Sequence, residues 1–121
     1  MLTPEELAEL EATLLPTLER HHLRLLAHSL RTLQEVAGRE EGPLPEQDLV
    51  RSWALQQPSV AADPQFAEPF AEQLRTAGLQ LQQIAAAEQR QPLGLTLADL
   101  SRWALHQADQ RIRSAAPPPP G

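Results

Sequence analysis

The chain has 121 residues, 41% of them hydrophobic and 21% charged, which fits one globular domain with a modest core. It contains no Cys, and all ten basic residues are Arg, so disulfides, thiolate metal sites, Schiff-base lysines and a phosphate-loop lysine are excluded. A net charge of −6 argues against a protein whose main task is holding nucleic acid.

Lys and Asn, both specified by AT-rich codons, are absent, and this points to a high-GC bacterial genome. The aromatic residues are Trp53, Trp103, Phe66 and Phe70. With so few rings, Leu and Ala must fill the core, a composition that favours helix over sheet.

Thr3-Pro4-Glu5-Glu6 reads as a helix start, with a capping Thr, a first-turn Pro and a Glu that closes a capping box. Leu7, Leu10 and Leu14 follow at helical spacing, and Pro16 either ends this helix or kinks it. A second helix is predicted over 16–37. Leu23, Leu26, Leu30, Leu33 and Ala37 alternate in steps of three and four, and Leu18, Leu25 and Val36 widen that face toward a second neighbour. Gly38 is placed to end it. A third helix, over 45–57, carries Leu49, Val50 and Trp53 and stops before Pro58. A short turn at 63–67 and a restart near Glu68 lead into a fourth helix, which runs to about Gln89 along Phe70, Leu74, Ala77, Leu81 and Ile84. Ala71, Gly78 and Ala85 beside that seam allow a close helix approach. Thr96 caps a fifth helix with Asp99 in its first turn, carrying Leu97, Leu100, Trp103, Ala104 and Ile112. Residues 115–121 end in four prolines and a glycine and are expected to form a flexible tail.

Two stretches echo each other. Leu33-Gln34-Glu35-Val36-Ala37 parallels Leu81-Gln82-Gln83-Ile84-Ala85, Pro43-Leu44 parallels Pro92-Leu93, and the segment around Trp53 parallels that around Trp103, the offset drifting from 48 to 50. The fold expected is therefore all-α: a four- to five-helix bundle over 1–114, built from two pseudo-repeated helical hairpins (18–57 and 66–107) plus an N-terminal helix.

The histidines are the obvious place to look for chemistry. Glu19 and His22 form one Glu-x-x-His step, but carboxylate-bridged metal bundles need a second step and further Glu, which the sequence lacks. His21 and His28 are two turns apart, about 10 Å along the axis, too far to share an ion. His106 stands alone. Neither a metal nor another cofactor is expected, and no Ser sits in a nucleophile elbow. Arg20, Arg24 and Arg31 fall on one stripe of the second helix, which can meet an acidic surface or be neutralised by the Glu-rich first helix. Trp53 and Trp103 anchor their helices, and Trp is also enriched in interface hot spots.

The function expected is a non-enzymatic protein–protein interaction module: an adaptor, assembly factor or small regulatory subunit, with Arg20, Arg24, Arg31, Trp53 and Trp103 as candidate partner contacts. The partner is another protein or a second copy of the chain. The rival readings are a nucleic-acid-binding regulator using the Arg stripe and a metal-dependent helical enzyme. No signal peptide opens the sequence and no apolar run spans a bilayer, so the cytoplasm is the expected location.

Overall fold

The structure, a computed structural model, describes residues 2–12 and 15–115. The chain runs through α1 (Pro4–Glu11), α2 (Thr17–Ala37), α3 (Gln47–Leu55), a five-residue α4 (Pro58–Ala62), α5 (Ala67–Glu88) and α6 (Leu97–Ala115). Single 3-10 turns cover 64–66 and 92–94. The all-α bundle is as expected, and the described residues contain no strand.

Local sequence accounts for the helix ends. Thr3 accepts from the Glu6 amide at 3.1 Å while the Glu6 carboxylate accepts from the Thr3 amide at 3.1 Å, a closed capping box. Helix α1 ends at Glu11 and Pro16 stands at the N-cap of α2, so the two helices are separate rather than one kinked rod. Gly38 ends α2 at φ 69°, in the left-handed region that glycine enters without steric cost. Pro58 does more than stop α3. It occupies the first turn of α4, a helix the sequence reading did not foresee.

The core lies between the two long helices and α6. Leu23, Leu26 and Leu30 of α2, Leu81 and Ile84 of α5, and Leu100 of α6 are almost wholly removed from water. Each such side chain contributes about 2 kcal/mol of burial. Helix α6 packs along α2, and α3 packs along α5, so each Trp-bearing helix rests on the long helix of the other hairpin. The connections meet as well: the Leu93 amide donates to the Gly42 carbonyl at 3.1 Å, and the buried Gln34 side chain donates to the Leu93 carbonyl at 2.7 Å. Gly78 sits where a Cβ would lie 3.1 Å from the Leu44 side chain, the close approach its position predicted.

Three expectations about the core are corrected. Leu18 and Leu25 do not widen the packed face of α2; they are 62% and 37% exposed. Ile112 is also exposed, one turn beyond the buried Ala108. The third helix is shorter than 45–57 at both ends, since Pro45 precedes it and Pro58 begins the next. Leu14 and residues 116–121 lie outside the described residues; Ala115, expected in the tail, instead ends α6.

A candidate protein interface

Trp53 lies on the outer side of α3 and stacks on Phe70 of α5, with ring centroids 6.1 Å apart and planes 18° from parallel. Both rings are half-buried. Phe66, four residues before Phe70 and 55% exposed, lines a shallow concavity with Val60, Pro69, Phe70 and Gln73. Leu49, one turn before Trp53 on α3, is 48% exposed and extends the apolar surface toward Leu44 and Pro45. Three of the four aromatic side chains thus gather in one partly exposed cluster at the edge of the core, against which Trp53 and Phe70 pack.

The backbone explains why. Pro64 and Pro69 break the entry to α5 into a 3-10 turn and a first helical turn. Phe66 ends the 3-10 turn and Phe70 stands in the first turn of α5, where it meets Trp53 of α3. The flat, rigid rings lose little conformational entropy when a partner covers them, which is why such residues dominate binding surfaces.

Trp103 occupies a comparable position on α6. It meets His22 of α2 edge to face, with centroids 5.3 Å apart and planes at 83°. His22 is exposed and meets solvent as well as the indole. His21, His28 and His106 are exposed too. Among the described residues no three His, Asp or Glu side chains converge to hold a metal ion.

The three arginines differ from one another. Arg31 pairs with Glu6 of α1 and also donates to the Gln34 side chain at 2.9 Å. Its hydrogen bond, followed by the Thr3 amide, holds the Glu6 carboxyl below the usual range despite partial desolvation. Arg20 donates to the Leu15 carbonyl at 2.9 Å, in the link between α1 and α2. Arg24 is half-buried beside it. The acidic first helix therefore engages the far end of the stripe through Glu6, and Arg20 holds the α1–α2 link.

Of the interface residues, Trp53 was legible in the sequence. Phe66, Phe70 and Leu49 were not: Phe70 was placed in the α5 seam, and Leu49 in the body of its helix. The usable signal was the Phe-x-x-x-Phe spacing with a proline before each ring, which marks a helix entry rather than a helix interior.

Fold and surface together define a small all-helical bundle that displays most of its aromatic side chains at one partly exposed site. Residues 2–111 match the model of the family described as NDH complex assembly factor CRR9, and the chain belongs to that family. No curated protein and no solved structure matches the chain. Among the described residues, no helix is long and apolar enough to cross a membrane.

Proposed function

We propose that the protein is a non-enzymatic assembly factor that binds a subunit of an NDH complex through the cluster of Leu49, Trp53, Phe66 and Phe70. The family supplies the process. The gathering of three of four aromatic side chains in one partly exposed cluster at the edge of the core supplies the surface, and this is the observation that carries the reading. A factor of this kind shields an apolar face of its client until the next subunit covers it. The client then presents an apolar ridge of a few side chains to the Trp53–Phe70 stack, with Phe66 and Leu49 closing the contact on either side.

Site-directed photo-crosslinking tests this. A benzophenone side chain at position 66 should yield one adduct with an NDH complex subunit in the organism that makes the protein. The same group at Glu5, on the opposite end of the chain, should not. Equal labelling from both positions, or labelling of unrelated proteins alone, would contradict the proposal.

A further inference from the structure

Helix α3 carries Leu49 and Trp53 to the docking surface, yet it has nine residues and buries only Val50 and Ala54. A helix this short is marginal by itself and owes its place to the body it packs on. Its buried line is a valine and an alanine, small side chains whose apolar contacts set depth but impose no direction. The roll of α3 about its own axis, and with it the place of Trp53, needs a directional hold.

Two polar side chains supply one. At about 100° per residue, Gln47 and Arg51 stand one turn apart on one edge of the Val50–Ala54 line. Leu49 and Trp53 stand on the other edge. The half-buried Gln47 side chain donates from Nε2 to the Ala71 carbonyl at 3.1 Å. Arg51 Nε lies 2.7 Å from Glu68 Oε1, and Arg51 also meets Asp48 of its own helix at 3.2 Å. Both ties land beside Phe70, for Glu68 stands two residues before it and Ala71 directly after it. Helix α3 is thus gripped along both edges, by directional polar contacts on one and by the Trp53–Phe70 stack on the other. The Arg51 and Glu68 side chains are 40% and 63% exposed, and an ion pair so open to water adds little stability. What the pair contributes is orientation.

We infer that Gln47 and Arg51 are positioning residues of the docking surface. Neither belongs to the edge of α3 that carries Trp53; each acts through the Trp53–Phe70 pair and holds the two rings in the arrangement a client meets. The inference rests on the proposed function and adds the residues that preorganise its surface. Rings already held in place have less freedom to lose when a client covers them, so releasing them weakens the contact without removing any contacting atom.

The test uses the full chain, isotopically labelled, with Gln47→Glu and Arg51→Gln made singly and together. The first keeps the size of the side chain and removes its donor; the second removes the charge that faces Glu68. In the double variant the Trp53 indole N–H signal should move toward its position in a Phe70→Ser variant, where the stack is gone, while the Trp103 indole stays in place. Each single variant should move part of the way, which preserves the comparison if the double variant folds poorly. Adducts with an NDH complex subunit from a benzophenone at position 66 should fall several-fold in the double variant. Arg51→Lys, which keeps a positive charge toward Glu68, should match the parent in both readouts. Arg111→Gln, which removes the Glu19 pair between α2 and α6, should change neither. An unmoved Trp53 indole in the double variant would overturn the inference, as would equal movement of both indoles. An undiminished adduct from a variant whose Trp53 has moved would overturn it too. A parent protein that gives no adduct while Trp53 moves as expected would contradict the proposed function and leave the hold on the rings supported.

Discussion

The carboxylate of Asp99 is almost fully buried, yet every face of it is occupied. It accepts from the Thr96 amide at 2.9 Å, from Arg90 at 2.9 Å and from Arg102 at 3.3 Å, while its own amide donates to the Thr96 hydroxyl at 3.1 Å. Burial, the largest single influence, pushes its carboxyl up; the Thr96 bonds and the two guanidinium groups together outweigh it and hold the group below its ordinary range. Replacing the side chain by Ala removes the acceptor of the Thr96 amide, one half of the capping box of α6, and leaves Arg90 without its Asp99 acceptor. Asp99→Ala should lower stability by about 1–2 kcal/mol in urea unfolding, with an unchanged slope. The sequence showed this cap, since Thr96 and Asp99 stand at the right spacing. It did not show the arginines, because Arg90 belongs to the preceding connection. Gln34 makes a similar point: its bond to the Leu93 carbonyl joins residues 59 apart, and no local pattern encodes it. Gln34→Leu should cost about 1–3 kcal/mol by leaving that buried carbonyl unpaired, measurable as a lower melting temperature.

At the scale of elements, periodicity located all five long helices, because each carries a continuous apolar stripe and a recognisable start or stop. What periodicity could not assign was which side of a stripe would find a neighbour. Leu18 and Leu25 continue the α2 stripe in phase, yet α6 and α5 cover only the adjoining side. Phe70, placed in the α5 seam, packs against the core and is half-buried, while Phe66 just before the helix is exposed. The reciprocal packing of α6 on α2 and α3 on α5, with a tryptophan–ring contact in each, is what a duplicated hairpin would produce, and we propose duplication as its origin. At Gly78 an added Cβ would meet the Leu44 and Leu33 side chains at 3.1 and 3.8 Å. Gly78→Leu should drive side chains into Leu44 and Leu33 and destabilise by about 1–3 kcal/mol, with amide exchange rising first in α3. Glu19 and Arg111 tie the start of α2 to the end of α6, so Arg111→Gln should speed exchange in the last two turns of α6 while leaving α5 unchanged.

For the whole molecule, three ion pairs decide the response to acid. Arg111 holds the Glu19 carboxyl down against its burial, Arg31 does the same for Glu6, and the Thr96 and arginine contacts do so for Asp99. A carboxyl group lowered in the folded state contributes stability above its unfolded value, near pH 4, and loses it as pH falls through the folded value. The melting temperature should therefore hold steady from pH 7 to about 5 and fall below about 4. A melting temperature that rises on acidification would contradict these assignments. The charge pattern also divides the surface. Acids dominate α1, the α2–α3 loop and the α4 region, while the Trp53 cluster is apolar.

The central claim is that the aromatic cluster is what the protein uses. Replacing the native gene by a Trp53→Ser, Phe66→Ser, Phe70→Ser variant, with folding of the purified variant checked by circular dichroism, and measuring the assembled NDH complex on native gels tests it most directly. The account predicts a folded protein and a marked loss of assembled complex. Full accumulation of the complex with the folded triple variant would contradict it.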